Sequence, residues 1–194
     1  MSRSPGALVD EAIFAAYLTG VKANYGTLGV NAKVPRYDCK AGLNKEHHTY
    51  SIAKWAVDKG KSAGLVTTTR VTHASPGGVY AHIANRDWEN NEEVRQSNCS
   101  DIDVDDIAEQ LVNGETGSLL KVVLGGGRRE FRDTSIIDEE GLPGKRTDKK
   151  DLIREWLNSK TTTDRRQYVW NKVRTIGLKS KQIPQIFIEH FRKD

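Results

Sequence analysis

The sequence predicts an α/β fold with a mainly parallel central sheet. Segments with helical spacing of apolar residues alternate with short β-branched or apolar runs, and this order is typical of parallel strands joined by helices. The chain has 194 residues, 37% of them hydrophobic, which is enough for a buried core. No stretch offers about 18 uncharged apolar residues, so an integral membrane protein is excluded. Two cysteines are too few for a miniprotein stabilised mainly by disulfides.

The net charge of +4 comes entirely from the C-terminal end. Residues 1–170 contain 24 Lys and Arg against 24 Asp and Glu, whereas residues 171–194 contain six against two. The predicted folded part is therefore neutral, and we do not expect a nucleic-acid partner, which would require a basic surface.

The first elements are predicted from apolar spacing and from glycines. Residues 12–21 (AIFAAYLTGV) favour a buried helix over a signal peptide, because Asp10 and Glu11 stand where a signal peptide carries positive charge. Asn44 is a suitable cap for a helix to about Lys59, with one face formed by Ile52, Trp55 and Ala56. A strand is predicted over 65–72, followed by a break at residues 76–78.

The second half continues the alternation. Asp101 or Asp103 is the expected cap of a helix whose apolar stripe is formed by Val104, Ile107, Ala108, Leu111 and Val112. A strand over 119–124 leads into three glycines, 125–127. The last predicted helix directs four residues inward: Leu152, Ile153, Trp156 and Leu157. A brief strand is predicted over 168–170.

Several runs of residues resemble the animal alkaline phosphatases, in the same order along the chain. They include GVKANYGTLGV (20–30), VTTTRVTHASPGGVYAHIANRDW (66–88) and VVLGGGRREF (122–131), and the resemblance extends from about residue 16 to 171. The resemblance implies that residues 1–171 form part of a three-layer α/β domain. It also implies a homodimeric enzyme that uses two Zn ions, one Mg ion and a serine nucleophile to hydrolyse phosphate monoesters through a phosphoserine.

The resemblance assigns roles to three residues near the predicted strand 65–72. Ser75 is expected to give its hydroxyl oxygen to Mg, and His73 to bond a metal-bound water. Arg86 is expected to hold two oxygens of the substrate phosphate. The residues alone allow a different interpretation, in which Ser75 caps a turn before Pro76, His73 lies on the surface, and Arg86 pairs with Asp87 or Glu89.

Cys39 and Cys99 occupy positions that form a disulfide in the family that the chain resembles. The alternative is a pair of free thiols in a cytosolic protein. The glycines at 125–127 lack the Gly-Lys-Ser/Thr ending of a phosphate-binding loop, and the resemblance explains them as a structural turn.

Two departures from the family pattern concern catalysis. Counting back from Ala16-Tyr17-Leu18 places Asp10 in the position of the serine nucleophile. Ser75 would be the one metal ligand, so no complete metal site is expected, and we predict that the isolated chain is inactive. The alternative function is therefore a catalytically dead fragment, a remnant of splicing or of an incorrectly assigned gene, that acts at most as a phosphate-binding or dimer-partner module.

The C-terminal residues 172–194 do not resemble the family and are predicted to form a basic, disordered tail. Pro184 interrupts their apolar run 183–187, and proline disfavours a central strand. The family is extracellular or held at the plasma membrane by a GPI anchor. We find neither a signal peptide nor an anchor signal in the sequence, so the location of this chain stays open.

Overall fold

The central element of the described part of the chain is a parallel sheet of four strands. The computed structural model describes residues 16–159, 166–170 and 185–189. The strands are β1 (Gly64–Arg70), β2 (Val122–Gly126), β3 (Arg166–Val169) and β4 (Gln185–Glu189). They lie in the order β1-β2-β4-β3, and every neighbouring pair is parallel. The predicted α/β fold with a parallel sheet is thereby confirmed.

The glycines at the end of β2 and directly after it are explained by a close approach of neighbouring residues and by a turn. A Cβ on Gly125 would lie 2.6 Å from side-chain carbons of Thr67 and Val71, so no larger residue fits there without a shift. Gly127 has a φ of +99°, which side chains rarely adopt, and it begins a 3₁₀ helix over Arg128–Phe131. This geometry is that of a structural turn.

Strand β4 corrects the prediction for the C-terminal segment. Residues 185–189 were expected to belong to a disordered tail, yet they pair with β2 on one side and β3 on the other. The proline argument fails because Pro184 stands directly before the first strand residue, and proline is tolerated at the start of a strand. The rest of the predicted tail lies outside the described residues.

Within the described residues, six short α-helices connect and flank the strands. They are α1 (Cys39–Leu43), α2 (Ile52–Asp58), α3 (Ala74–Gly77), α4 (Asn91–Arg95), α5 (Ile107–Asn113) and α6 (Leu152–Asn158). Residues 16–19 are also helical, at the end of the predicted helix 12–21. Within the described ranges, no helix has the length and apolar character needed to cross a membrane.

The helix predicted from Asn44 to Lys59 is wrong in its first half. Asn44 accepts a hydrogen bond from the Glu46 amide, but it caps a 3₁₀ turn of three residues. The chain then becomes extended, because the Thr49 amide donates to the Gly29 carbonyl at 2.8 Å and so pairs with a distant segment. Helix α2 begins only at Ile52, and its expected inner face is uncovered, since Ile52 is 62% and Trp55 52% exposed.

Helices α5 and α6 follow the prediction more closely. The Asp106 side chain, rather than that of Asp101 or Asp103, caps α5 by accepting from the Glu109 amide at 2.9 Å. Four residues of the predicted stripe of α5 are buried: Ile107, Ala108, Leu111 and Val112. The fifth, Val104, lies before the helix and is partly buried. Helix α6 buries Leu152, Ile153 and Trp156. Leu157 is 42% exposed, contrary to the prediction.

Buried arginines order the polar segment 128–151. Arg146 is fully buried and pairs with Asp106 at 2.8 Å and with Asp148 at 2.5 Å. Arg128, also buried, pairs with Glu139 and Glu140, both at 2.8 Å. These contacts pair the buried charges and attach the segment to α5, which packs against α6.

Candidate functional site

The candidate site begins where β1 ends. After Arg70 the chain turns through residues 71–73 and enters α3, so that His73 is the N-cap of this helix and Ser75 its second residue. Ligand sites in parallel sheets form at the carboxyl ends of the strands, and both predicted metal-site residues lie at that end of β1. The Tyr80 hydroxyl donates to the Val71 carbonyl at 2.8 Å and holds the turn closed.

His73 presents a ring nitrogen that is not satisfied within the described chain. Its Nδ1 atom is buried and has no hydrogen-bond partner among the described residues. Buried ring nitrogens are nearly always paired, so this atom is a candidate for a contact with a water or a ligand. His73 as a whole is partly buried.

Arg86 lies on a loop that is fixed by a neighbouring segment. Leu28 and Ile83 exchange two backbone hydrogen bonds of 3.0 and 2.9 Å, and the Arg86 amide donates to the Gly26 carbonyl at 2.8 Å. The Arg86 side chain is 22% exposed, and its Nε lies 3.4 Å from Oδ1 of Asp87. The pairing with Asp87 that the residues alone allowed is therefore present.

Glu89 does not pair with Arg86 and instead connects this loop to β1. Its carboxylate accepts hydrogen bonds from Arg70 at 2.8 and 2.6 Å and from the Thr72 hydroxyl at 2.5 Å. Burial raises the pKa of Glu89, but the hydrogen bonds from Arg70 and Thr72 outweigh burial and hold the pKa below its ordinary value. Sequence reasoning missed this role, because nothing in the residue pattern joins positions 70 and 89.

A second residue that sequence reasoning missed is Arg36. Its guanidinium lies 2.5 Å from Asp87 and 3.0 Å from the side-chain oxygen of Asn85. Asp87 therefore lies between two arginines, Arg36 and Arg86. About 50 residues separate the members of this group along the chain, so spacing rules could not reveal it.

The position predicted for the nucleophile cannot be compared directly, since Asp10 lies outside the described residues. The nearby residue Leu18 is described, and a Cβ on Gly78 would meet its Cδ1 at 3.6 Å. The helical residues 16–19 therefore pack beside the end of α3, on which Ser75 lies.

The described residues do not form a complete metal site. Within residues 16–159, 166–170 and 185–189, no group of three or more His, Cys, Asp or Glu side chains is arranged to hold a metal ion. Ser75 and the unsatisfied His73 nitrogen can supply part of such a site at most.

The predicted disulfide between Cys39 and Cys99 is confirmed, with the two Cα atoms 6.0 Å apart. It joins the start of α1 to the segment after α4. Both cysteines are buried, and the Asn98 side chain donates to the Tyr37 carbonyl at 3.3 Å beside them. The bridge thus fixes the loop that bears Arg36.

Comparison with known proteins establishes the family. The family model described as alkaline phosphatase matches residues 8–193, nearly the whole chain. This chain belongs to the alkaline phosphatase family. The match also extends through the segment 172–193, which the sequence interpretation placed outside the family.

Related alkaline phosphatases from animals are similar over most of this chain. The membrane-bound alkaline phosphatase of Bombyx mori is 49% identical over 166 residues, which are 85% of this chain and 30% of the relative. The tissue-nonspecific isozyme of Gallus gallus is 42% identical over 177 residues, 87% of this chain and 32% of the relative. The chain thus spans about a third of the length of these curated relatives.

Solved alkaline phosphatases share the fold. The crystal structure of the Thermus thermophilus enzyme superimposes with a TM-score of 0.57 at 24% identity, covering 92% of this chain and 28% of that one. A mutant of the TAB5 enzyme, solved with Mg bound, gives a TM-score of 0.56 at 19% identity, covering 94% and 38%. At these identities the likeness establishes the fold alone.

Proposed function

We propose that this chain supplies the phosphate-recognition part of an enzyme that hydrolyses phosphate monoesters, and that Arg86 is the residue that binds the phosphate. The observation that supports this most directly is the placement of Arg86 on a loop whose backbone is held in position. Its backbone is bonded to Gly26, and its Nε faces Asp87 at 3.4 Å, in a loop that Glu89 ties to the end of β1.

A guanidinium is suited to this task because it is planar and remains protonated. Two parallel N–H groups can donate to two oxygens of a phosphate, which fixes the orientation of the substrate as well as binding it. The ion pair between Nε of Arg86 and Asp87 leaves the Nη atoms as the donors that would face a phosphate. The bound phosphate would then be positioned before any reaction begins.

Metal ions would complete this chemistry in the family. Mg and Zn, when bound, stabilise negative charge on phosphoryl oxygens and activate an oxygen nucleophile. A cofactor role for Mg is supported by the TAB5 mutant solved with Mg bound. In this chain Ser75 would be a Mg ligand through its hydroxyl, and His73 would bond a metal-bound water through the ring nitrogen that lacks a partner.

We further propose that the 194-residue chain alone does not catalyse hydrolysis. Asp10 stands in the nucleophile position, and an aspartate there lacks the hydroxyl that would form the phosphoserine. Ser75 and His73 are too few to hold a catalytic ion. The chain on this view is a phosphate-binding module with the family fold.

The environment and assembly of the chain follow from the same proposal. The Cys39–Cys99 disulfide is supportive of an oxidising compartment, and the Bombyx mori relative is named as membrane-bound. We accordingly propose that this chain is extracellular or anchored at a membrane, and that two copies pair, as in the family. Sedimentation of the oxidised chain at several concentrations tests the pairing.

A turnover assay tests the catalytic part of the proposal. The oxidised chain is incubated with an aryl phosphate, with and without added Zn and Mg, and product formation is followed by absorbance. We expect no hydrolysis above buffer. A Zn-dependent turnover that disappears in Arg86→Ala but persists in the exposed control Arg154→Ala would contradict the assignment of Asp10 to the nucleophile position.

A further inference from the structure

We propose that Arg36 is a positioning residue for phosphate binding, which orients Arg86 through Asp87. The proposal rests on the proposed function of Arg86. One carboxylate joins the two guanidinium groups, because Oδ2 of Asp87 lies 2.5 Å from Nη2 of Arg36 and its Oδ1 lies 3.4 Å from Nε of Arg86. The bound group is again the substrate phosphate. What is new is the role of Arg36, which holds the phosphate-binding residue Arg86 in place.

Asp87 by itself is a weak anchor. Its side chain is 58% exposed, and ion pairs of exposed carboxylates contribute little because water competes and the side chain must be ordered. A carboxylate so exposed needs a second, fixed partner to hold one rotamer. Arg36 is that partner, because its side chain is only 19% exposed.

Arg36 is fixed from three directions. Its Nε donates to Oδ1 of Asn85, a residue that is 3% exposed and therefore rigidly placed. Its Cζ lies 5.5 Å from the ring of Tyr25 and 4.9 Å from the ring of Tyr37, both within the range of cation–π attraction. The side chain lies directly over Gly26, where an added Cβ would approach its Cδ and Nε to 2.5 Å.

The backbone fixes the two arginine loops relative to each other. The Tyr37 amide donates to the Ala84 carbonyl at 3.0 Å, and the Arg86 amide donates to the Gly26 carbonyl at 2.8 Å. The disulfide at Cys39 secures the same loop three residues after Arg36. With both backbones held in this way, the side-chain contact between Arg36 and Asp87 joins two loops that are already fixed relative to each other.

The test uses the oxidised full-length chain labelled with ¹⁵N arginine. The Nε–H signal of Arg86 is assigned by its loss in Arg86→Lys, and it is then recorded without phosphate in Arg36→Gln, Asp87→Asn and the double variant. Arg95→Gln is the matched control, since Arg95 forms an exposed 2.5 Å ion pair with Glu92 elsewhere on the surface. Affinity for inorganic phosphate and the unfolding midpoint are measured on the same samples.

We expect Arg36→Gln to shift the Arg86 signal and to weaken phosphate binding by about threefold to tenfold, within the coupling range of residues that share a network. Asp87→Asn should have the same effect, and the double variant should be no worse than Asp87→Asn alone. The control should change neither the signal nor the affinity. An unchanged Arg86 signal in Arg36→Gln, or additive losses in the double variant, would overturn the proposal.

Failure of the positioning role and failure of the proposed function give different results. If the wild-type chain binds no phosphate, the proposed function of Arg86 is wrong, whereas the signal of Arg86 still reports whether Arg36 orients it. If Arg36→Gln lowers the unfolding midpoint and leaves the Arg86 signal unchanged, Arg36 is a structural residue and the positioning role is excluded.

Discussion

The Glu89 carboxylate accepts two parallel hydrogen bonds from the Arg70 guanidinium, Nε to Oε2 at 2.8 Å and Nη2 to Oε1 at 2.6 Å. Arg70 is the last residue of β1, and Glu89 follows Arg86 by three positions. This bidentate pair therefore joins the sheet to the loop that bears the proposed phosphate ligand. Glu89 is 8% exposed, so its charge depends on that partner.

Replacing Arg70 with methionine should destabilise the fold, because among the described residues it leaves the buried Glu89 charge with the Thr72 hydroxyl alone as a side-chain donor. We expect a loss of about 2 kcal/mol, below the 3–5 typical of fully buried pairs because the Arg70 side chain is 46% exposed. Urea unfolding at neutral pH measures this loss. Arg95→Met, which breaks an exposed pair, is the control; equal losses in both variants would show that burial of Glu89 is unimportant.

Glu93 should make stability fall with rising pH. Burial, opposed by the hydrogen bond from the Glu89 amide and assisted by the charges of Glu130 and Glu89, raises its pKa to about 7 from the ordinary 4.5. Between these values the unfolded chain releases the proton while the folded chain keeps it, so folding loses stability as the pH rises through this window.

Glu93→Gln keeps an acceptor for the Glu89 amide and removes this titration. Compared with wild type, the variant should gain stability between about pH 5 and about pH 8, and urea unfolding at both values measures the gain. Glu46→Gln, at an exposed position, is the control and should show no such gain. If the free energies of unfolding of wild type and Glu93→Gln changed in parallel with pH, the raised pKa of Glu93 would be contradicted.

Gly26→Ala should be more harmful than the same change at Gly60. Both glycines have a positive φ, +78° and +73°, so both substitutions strain the backbone by about 1–2 kcal/mol. A Cβ on Gly26 would also displace Arg36, whereas a Cβ on Gly60 meets nothing within 4 Å. We expect Gly60→Ala to lower stability alone and Gly26→Ala to weaken phosphate binding as well. Equal phosphate affinities of Gly26→Ala and Gly60→Ala would show that the contact between Gly26 and Arg36 does not affect phosphate binding.

Reduction of the Cys39–Cys99 bridge should destabilise the chain. The bridge spans 60 residues, and the chain-entropy model assigns about 4 kcal/mol to a loop of that size. Urea unfolding with and without a reductant measures the difference. The double variant Cys39→Ala/Cys99→Ala is the control and should not respond to the reductant. An equal response of wild type and variant would show that the reductant acts elsewhere.

Features that depend on neighbouring residues were predictable from the sequence. Strand β1 was expected over 65–72 and lies at Gly64–Arg70, because its β-branched threonines and flanking glycines are local signals. The buried stripe of α5 followed from helical spacing. The disulfide and the family came from the literal resemblance of several runs, which spacing alone did not reveal.

The features that were missed depend on contacts between distant segments. The helix expected from Asn44 is interrupted because Thr49 pairs with Gly29, a choice that tertiary structure makes against local propensity. Strand β4 was missed because Pro184 interrupts an apolar run in the sequence, whereas the strand itself begins only after the proline. The Arg36–Asp87 and Arg70–Glu89 pairs each join segments that the sequence gives no reason to bring together.

Binding of phosphate by Arg86 is tested most directly by a calorimetric titration of this chain with inorganic phosphate. The oxidised wild-type chain, Arg86→Ala and the exposed control Arg154→Ala are titrated under the same conditions. Losing the charge-assisted hydrogen bonds of Arg86 should weaken binding by at least about tenfold, while the control retains wild-type affinity. Equal affinities of wild type and Arg86→Ala, or no binding by wild type, would contradict the account.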